Sequence, residues 1–277
     1  MAQQNVKTAL VTGSTDGVGR VVAKRLAQDG MRVLLHGRDR GRGESLVAEI
    51  KAAGGAGEFF AADFAALAEV RRLAEAVGKT TDRLDLLINN AGIGSAGPKG
   101  ARETSADGYE LRFAVNYLAG FLLTYLLLAS LKESKPARIV NVSSLGQQAI
   151  DFADVMLTHG YSGSRAYCQS KLAQIMFTID LAEELKGTGV TVNALHPATY
   201  MNTTMVRRAG VTPLSSVEQG ADAILNLATG AAIAGRSGLF FNGLQEARAD
   251  AQAYDAEARQ RLRRLSLELT GVRSAAI

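Results

Sequence analysis

The stretch "KTALVTGSTDGVGRVVAKRLAQDG", residues 7–30, decides the fold. It starts with a short apolar run that ends in glycine, and a helical pattern follows at once. Between the two lies "TGSTDGVG", whose glycines let the backbone turn sharply and approach a ligand. Glycines also form simple turns, but the place between a predicted strand and a predicted helix favours a dinucleotide pyrophosphate at the helix N-terminus. The candidate cofactor contacts in this turn are Gly13, Ser14, Thr15, Gly17, Val18 and Gly19.

The rest of the chain repeats this alternation of short apolar runs with helical stretches. Further runs predict strands at "MRVLLHG", "GEFFAAD", "LDLLINNAG", "ARIVNVSS", "GVTVNALHP" and "GLFFNG". The longer helical stretches cover residues 108–131, 164–187, 215–230 and 249–271. Apolar runs of this length, alternating with helices, predict strands that are covered on both faces. We therefore expect a single α/β domain over residues 1–277, a doubly wound parallel sheet of the Rossmann type with helices on both faces.

The end of the second predicted strand bears on which dinucleotide would bind. An NAD site usually has an acid here for the ribose 2′-hydroxyl, whereas "VLLHGRDRG" has Gly37 followed by Arg38. A guanidinium suits a 2′-phosphate, because it forms paired charge-assisted hydrogen bonds. A shift of two residues in this alignment would instead make Asp39 the ribose acid. We expect NADP(H) in preference to NAD(H), with Arg38 as the contact.

The segment "AYCQSKLAQ", residues 166–174, places a tyrosine and a lysine one helical turn apart. Tyr167 and Lys171 then lie on one face of the helix, close enough to share a ligand. A free tyrosine has a pKa near 10 and is a sluggish acid at neutral pH, and a nearby ammonium would lower that pKa. Many helices contain such a pair for no chemical reason, so the assignment depends on its surroundings.

Composition and charge argue against several classes of function. The chain has 277 residues, 47% of them hydrophobic, and a net charge of +4, which does not indicate a nucleic-acid partner. Cys168 is the single cysteine, so no internal disulfide forms. The chain opens without a signal-peptide pattern, and the longest apolar run, residues 117–131, fits a buried helix better than a membrane span. We expect a soluble cytoplasmic protein and, because His36, His159 and His196 are scattered, no metal site.

Taken together, the motifs resemble the short-chain dehydrogenase/reductase family over essentially the whole chain. The matching phrases are "TGSTDGVG", "AADF", "NNAG", "FAVNYL", "NVSS" and "YCQSK", in the order of the family. The phrases "VNYLAGFLLTYLLL", "AYCQSKLAQIMFT" and "RLRRLSLELTGV" are most similar to its retinol-dehydrogenase-like branch. The resemblance implies an NAD(P)-dependent oxidoreductase that acts on CH–OH groups, and an assembly such as a homodimer or homotetramer.

The resemblance also implies roles for individual residues. The catalytic residues would be Asn116, Ser144 (and not Ser143), Tyr167 and Lys171. Beyond the first turn, the cofactor contacts would be Asp63, Phe64, Asn90, Ala91, Gly92, Tyr167, Lys171, Pro197 and Thr199. Each has an ordinary structural alternative: Ser144 could cap the next segment, Asn116 could be a plain helical residue, and Asp63 could cap the following helix.

Two features depart from the commonest pattern of the family. The chain reads "HPATYMNTTMV" after the sixth predicted strand, so Ala198 stands where glycine is usual and the turn geometry is open to question. The segment between Ser144 and Tyr167 is long, which predicts an active-site insertion over about residues 145–164 and a substrate loop over about 197–213. The apolar residues that could line a cleft, or simply cover the core, are Ile150, Phe152, Val155, Met156, Leu157, Tyr200, Met201 and Met205.

These features favour an NADP(H)-dependent reductase of a fairly apolar ketone or aldehyde. An NAD-dependent alcohol dehydrogenase would use the same residues with the other cofactor. A regulatory protein that senses NADP(H) without catalysis remains open on the same fold, although such a protein would be free to lose Tyr167, which this chain keeps. Epimerase chemistry uses a similar tyrosine and lysine, but the compact tail after "GLFFNG" argues against it.

Overall fold

In the computed structural model, which describes residues 6–95 and 100–272, one sheet of eight strands runs through the described chain. The strands are β1 Thr8–Val11, β2 Arg32–Gly37, β3 Ala56–Ala61, β4 Leu86–Asn89, β5 Ala137–Val142, β6 Val190–His196, β7 Phe240–Asn242 and β8 Gln245–Ala247. Their order is β3-β2-β1-β4-β5-β6-β7-β8, and every neighbouring pair is parallel except β7 with β8. The predicted doubly wound Rossmann-type sheet is confirmed, with a short antiparallel strand added at one edge.

Helices cover both faces of the sheet. They are α1 Gly17–Gln28, α2 Arg40–Ala52, α3 Leu67–Thr80, α4 Ala119–Glu133, α5 Gly163–Glu184, α6 Thr204–Arg208, α7 Val217–Thr229 and α8 Ala256–Thr270. Neighbouring strand residues point to opposite faces: Val33 and Leu35 pack with α1 and α7, whereas Leu34 packs with α3, α4 and α5. Strands that are apolar on both faces are therefore covered on both, as the sequence predicts.

Several element boundaries differ from the predicted ones. The helix expected from residue 108 begins later, because Gly108 has φ +84 in a turn, and its first part is the π-helical segment Phe113–Leu118. The helix expected over 249–271 is divided: a 3₁₀ turn spans Ala251–Tyr254, and Asp255 then caps α8 by accepting N–H groups of its first turn. Both differences come from capping and turn geometry rather than from apolar periodicity.

The longest apolar helix lies inside the fold. Residues Phe113–Glu133 are long and apolar enough to cross a membrane, with a mean hydropathy of 1.7, but 78% of that window is buried within the protein. Its aromatic rings pack against Phe177 of α5, with ring centroids 5.0 Å apart for Phe121 and 6.4 Å apart for Tyr117. Among the described residues, this segment therefore forms core packing on one face of the sheet.

Helix α8 covers the outer side of this core. The hydroxyl groups of Tyr117 and Ser266 are 2.7 Å apart, and Arg263 of α8 donates to Asp180 at 3.1 Å on α5. Arg263 also pairs with Glu184 at 2.7 Å. The face formed by the π-helical segment and α5 is thus occupied by a segment of the same chain.

The residues just before α8 hold the insertion that follows β5. The side chain of Gln252 accepts the N–H of Ile150 at 2.6 Å and donates to the carbonyl of Ile150 at 3.1 Å. Gln147 accepts the N–H of Asp250 at 2.7 Å. We call the contacts of Asp250 and Gln252 with Gln147 and Ile150 the tail clasp.

Candidate active site

The glycine-rich turn between β1 and α1 lies at the carboxyl edge of the sheet. Gly13 and Gly17 have φ +64 and +53, which other residues rarely adopt. A Cβ on Gly13 would lie 2.8 Å from Cα of Ala91, and one on Gly19 would collide with the carbonyl oxygen of Gly13. The turn therefore needs glycine at these places, and the N-terminus of α1 that follows fits a pyrophosphate. The glycine turn and the N-terminus of α1 therefore fit the pyrophosphate of a dinucleotide.

Three of the predicted cofactor contacts support the glycine turn from below. Ser14 is fully buried, and its hydroxyl accepts the N–H of His36 at 3.0 Å while donating to the His36 carbonyl at 3.2 Å. Val18 belongs to the core, and Phe64 stacks on the His36 ring with centroids 4.2 Å apart. The structure thus places the side chains of Ser14, Val18 and Phe64 in packing positions under the site, whereas Thr15 is only half-buried.

His36 supports the glycine turn, although in the sequence it is only one of three scattered histidines. The N–H of Gly13 donates to Nδ1 of His36 at 3.2 Å, and Nε2 of His36 lies 3.1 Å from the carbonyl of Ala62. These partners fit the neutral ring with its proton on Nε2. Burial lowers the pKa of His36 to about 4, against the opposing effects of Ala62 and Asp63. No local pattern marks this role, because the ring belongs to β2 and its partners, Gly13 and Ala62, come from other segments.

The end of β2 carries exposed cations beside carboxylates. Gly37 ends the strand and Arg38 follows, exposed, with its guanidinium 3.9 Å from the Asp63 carboxylate. Asp39 caps α2 by accepting the N–H of Arg42 at 3.0 Å, so its carboxylate has a local structural partner. The guanidinium of Arg42 lies 3.5 Å from Asp16 at the start of α1. The sequence did not single out Arg42, whose place becomes clear only when α1 and α2 lie side by side.

The segment after β4 joins the glycine turn to the catalytic candidates. Asn90 donates from its side chain to the carbonyls of Thr12 at 2.9 Å and Gly13 at 3.1 Å. The N–H groups of Asn90 and Ala91 both donate to the Thr12 hydroxyl. A Cβ on Gly92 would lie 3.2 Å from Asn116 and 3.6 Å from Nζ of Lys171. Asn90, Ala91 and Gly92 therefore lie between the turn and the lysine.

Ser144 and Tyr167 meet where β5 ends. Their side chains lie side by side, since a Cβ on Gly146 would lie 3.4 Å from the Ser144 hydroxyl and 3.5 Å from the Tyr167 ring, and Ser144 accepts the N–H of Gly146 at 3.0 Å. The neighbouring Ser143 instead donates to the carbonyl of Lys171 at 2.7 Å, which ties β5 to α5. Of the two serines, Ser144 is the one that faces the tyrosine, and Ser143 has a structural contact.

Lys171 is buried one turn beyond Tyr167 on α5. Its Nζ lies 5.8 Å from the centre of the Tyr167 ring and donates to the Val142 carbonyl and to Gln174, each at 3.0 Å. Burial lowers the pKa of Lys171 to about 7. Burial also raises the pKa of Tyr167, although the Ser144 hydroxyl opposes this rise. The pKa of Tyr167 shifts in the direction opposite to the lowering expected from the sequence, because desolvation of the phenol outweighs the effect of the Ser144 hydroxyl.

Asn116 lies in the π-helical segment and connects three parts of the site. Its amide oxygen accepts the N–H of Ile93 at 2.7 Å, and its nitrogen donates to the Ile93 carbonyl at 3.1 Å and to Ser170 at 3.0 Å. Ser170 in turn donates to the carbonyl of Tyr167 at 2.7 Å. The wider turn of the π-helix places Asn116 where it reaches both the strand end and α5.

The loop after β6 passes over the glycine turn. Pro197 is buried, and the Thr199 hydroxyl lies 3.1 Å from Nε2 of His196. Ala198 is not among the described residues with positive φ, so alanine adopts this backbone without strain and the doubt about the turn is removed. Tyr200, with φ +44, is the residue of this loop that has a left-handed backbone. Thr203 is the nearest contact of Gly17, at 3.2 Å from where its Cβ would be.

The apolar residues proposed for a substrate cleft divide into three groups by their exposure. Ile150 and Leu157 are buried, at 3% and 1% exposure, so they are the core residues of the insertion. Phe152, Val155 and Met156 are half-buried against the same core, and Met201 packs on the other side of the sheet. Tyr200 and Met205 are exposed at 51% and 43%, on the loop after β6. The exposed members alone are free to meet a ligand.

Comparisons with known proteins identify the family of this chain. A family model described as short chain dehydrogenase matches residues 7–212. Human retinol dehydrogenase 13 is 37% identical over 296 residues, which cover 98% of this chain and 86% of the relative.

Solved structures lead to the same family. A crystal structure of an uncharacterised protein from Mycobacterium paratuberculosis superposes with a TM-score of 0.80 at 30% identity, covering 96% of this chain and 93% of that one. The RhlG protein of Pseudomonas aeruginosa, solved as an active-site complex with NADP, has a TM-score of 0.69 at 28% identity, covering 85% and 94%. The chain therefore belongs to the short-chain dehydrogenase family, in its retinol-dehydrogenase-like branch, and is an NAD(P)-dependent oxidoreductase that acts on CH–OH groups.

Proposed function

We propose that the protein interconverts a fairly apolar ketone or aldehyde with its alcohol, using NADP(H). One observation carries this proposal: the Ser144 hydroxyl and the Tyr167 ring lie side by side just after β5, with Lys171 one turn further along α5. A hydroxyl pair at this edge can polarise a carbonyl and deliver a proton to it. Retinol, the alcohol named in the human relative, belongs to the proposed substrate class.

Each catalytic candidate has a role in this proposal. The bound nicotinamide supplies or accepts the hydride. Tyr167 donates a proton to the developing alkoxide, and Ser144 hydrogen-bonds the carbonyl oxygen. Lys171 holds a positive charge near the phenol and favours its ionised form. Asn116, through Ser170, fixes the turn of α5 that carries Tyr167.

The decisive experiment follows NADPH oxidation on addition of a panel of carbonyl compounds, with all-trans-retinal as the apolar probe. We expect reduction of apolar carbonyls, and a loss in Tyr167→Phe on the order of 100-fold or more while NADPH still binds. Full activity in Tyr167→Phe would remove this residue from the mechanism. Activity confined to small polar sugars would contradict the apolar substrate, and NADPH binding without any turnover would favour the sensing alternative.

The preference for NADP(H) rests on the cations at the end of β2. Arg38 and Arg42 are exposed, and each guanidinium is only loosely paired, with the closest carboxylate oxygens at 3.9 Å and 3.4 Å respectively. Asp39 is engaged in capping α2, which weakens its claim to be the ribose acid. The alternative is an NAD-dependent alcohol dehydrogenase, in which Asp39 would hold the 2′-hydroxyl.

Replacing either arginine tests the cofactor. We expect Arg38→Ala to raise KM for NADPH by about tenfold or more and to leave KM for NADH nearly unchanged, because hydrogen bonds to a charged phosphate would be lost. Arg42→Ala is the second variant, and exposed Arg40→Ala is the matched control. A clear preference for NADH that survives Arg38→Ala would contradict the proposal.

The location and assembly of the protein are also proposals. Burial of the apolar segment Phe113–Glu133 supports a soluble, cytoplasmic enzyme without an integral membrane segment. A homodimer or homotetramer formed through α4 and α5 would have to displace α8, so we infer that any homo-oligomer uses another surface. Static light scattering, together with fractionation of cells into membrane and soluble parts, tests both statements.

A further inference from the structure

The ammonium of Lys171 is buried with very few polar partners. Lys171 is 6% exposed, and its Nζ donates to two described acceptors, the carbonyl of Val142 and Oε1 of Gln174. Within residues 6–95 and 100–272, no carboxylate forms an ion pair with it. The titratable groups that face it are Tyr167 on α5 and His196 on β6, and neither brings a negative charge at neutral pH. The side-chain acceptor of this ammonium is therefore an uncharged amide.

Gln174 is built into the fold as firmly as the lysine. It is 4% exposed, three residues after Lys171, so it lies on the same face of α5 in the next turn. Its backbone carbonyl accepts the Thr178 hydroxyl at 2.8 Å, and that hydroxyl accepts the Asn141 side chain of β5 at 2.8 Å. These contacts fix the helical turn of Gln174 against β5, the strand that ends at Val142 just before Ser144.

We propose that Gln174 is a positioning residue whose amide oxygen anchors the Lys171 ammonium in the active site. With Val142 and Gln174 each taking one N–H, the third is left for the edge of the site, where a Cβ on Gly92 would lie 3.6 Å from Nζ. The inference rests on the role proposed above for Lys171 and adds to that role a residue outside the Asn116, Ser144, Tyr167 and Lys171 set.

The physical consequence concerns the charge of the lysine. Desolvation disfavours the ammonium and lowers the pKa of Lys171 to about 7, so a hydrogen bond to the charged form decides how much of it stays protonated at neutral pH. Removing the amide oxygen should lower this pKa further. A carboxylate in its place should raise it.

The experiment is a direct titration of Lys171 that does not depend on turnover. The protein is labelled with [ε-¹³C]lysine, the Lys171 signal is assigned with Lys171→Arg, and its chemical shift is followed by NMR against pH. We expect Gln174→Met, which keeps the length but loses the acceptor, to lower the midpoint by about one unit. We expect Gln174→Glu, which keeps an acceptor, to raise it by about one unit or more.

A matched control removes a polar group one turn further along. Thr178→Val takes away the hydroxyl that contacts Gln174 but not Lys171, so the Lys171 midpoint should stay within a few tenths of a unit. A midpoint unchanged in Gln174→Met would overturn the anchoring role, and so would equal shifts in Gln174→Met and Thr178→Val. If glutamate at this buried place prevents folding, the methionine variant and its control decide alone.

Turnover of the same proteins separates this inference from the proposed function. Altered retinal reduction in Gln174→Met with an unchanged Lys171 titration would contradict the anchoring role and leave the oxidoreductase proposal intact. A shifted titration in a protein that reduces no carbonyl compound would support the anchoring role and contradict the proposed reaction.

Discussion

His36 lies beneath the glycine turn and has a hydrogen-bond partner for each ring nitrogen. Its Nδ1 accepts the Gly13 N–H, so protonation at Nδ1 would turn that acceptor into a second donor. The ring is 2% exposed and stacked on Phe64. A charge on His36 would therefore cost both solvation and the hydrogen bond that holds the first glycine of the turn.

This burial makes stability depend on pH in a defined window. The pKa of His36 is about 4 in the folded protein and about 6.5 in the unfolded chain, so only the unfolded chain gains a proton between these values. The stabilisation from this residue is complete above pH 6.5 and is lost as the pH falls toward 4. We expect the free energy of unfolding to drop by about 2 kcal/mol more in the wild type than in His36→Gln between pH 7 and pH 4.5.

Urea unfolding at both pH values measures this difference. His36→Gln is less stable than the wild type at pH 7 in this account, since it loses the ring contact with Phe64, but its stability changes less with pH. His159→Gln is the control, because that histidine is exposed. Equal pH dependence in all three proteins would show that His36 is charged or accessible in the folded state.

The sequence predicts the residues that would contact substrate or cofactor, but it does not predict the residues that support them. Tyr167, Lys171 and the glycines are recognisable because the chemistry demands those types at fixed spacing. His36 acts through the glycine turn, and Gln174 matters because the Lys171 ammonium beside it is buried, so no local pattern marks either residue. The opposite direction of the Tyr167 pKa has the same origin, since desolvation depends on packing that one helix does not contain.

At the scale of elements, the tail clasp connects the chain before α8 to the insertion after Ser144. Gln252 satisfies both backbone groups of Ile150, and Gln147, which accepts from Asp250, also donates to the Ser144 carbonyl at 2.8 Å. Two side-chain amides thereby hold a loop that otherwise lacks regular secondary structure. The loop begins at a catalytic candidate, so its order bears on the site.

Removing the clasp should loosen the insertion locally. In Gln252→Ala the Ile150 N–H loses its acceptor, and we expect amide hydrogen exchange in residues 147–152 to become about tenfold faster, with little change in α5. Gln260→Ala, at an exposed position of α8, is the control. Unchanged exchange in Gln252→Ala, measured by mass spectrometry of peptides from this region, would show that the insertion is held by its core contacts alone.

The order and type of the regular elements follow from the sequence, because continuous apolar runs and helical periodicity are local properties. The predicted fold class and family are confirmed by the sheet and by the relatives. The π-helical segment, the break at Asp255 and the antiparallel β8 were missed, since each depends on tertiary contacts or capping rather than on periodicity. The roles of the site residues and the domain limits stay predictions.

At the scale of the whole molecule, α8 joins the C-terminal part of the chain to α5 and to the π-helical segment. Arg263 is its main polar contact, paired with Asp180 and with Glu184, whose side chain is only 8% exposed. Glu184 also accepts the Tyr125 hydroxyl at 2.9 Å. Loss of the arginine would leave a nearly buried carboxylate without its cation.

We expect Arg263→Met to lower the free energy of unfolding by about 2 kcal/mol, because a buried ion pair that loses one partner is strongly destabilised. Arg264→Met, at the exposed neighbouring position, should change it by no more than about 0.5 kcal/mol. Chemical denaturation of both variants checks this, and equal effects would show that the Asp180 and Glu184 contacts add nothing to stability.

The covering of α5 and the π-helical segment by α8 also has a consequence during synthesis. Ribosomes make α8 after every strand of the sheet, at about 5–20 residues per second. Until it emerges, the hydroxyl of Tyr117 lacks Ser266 and the apolar face around it is open to water. A nascent chain of this enzyme thus exposes the apolar face around Tyr117 for several seconds. A chaperone that binds aromatic residues would bind at this face.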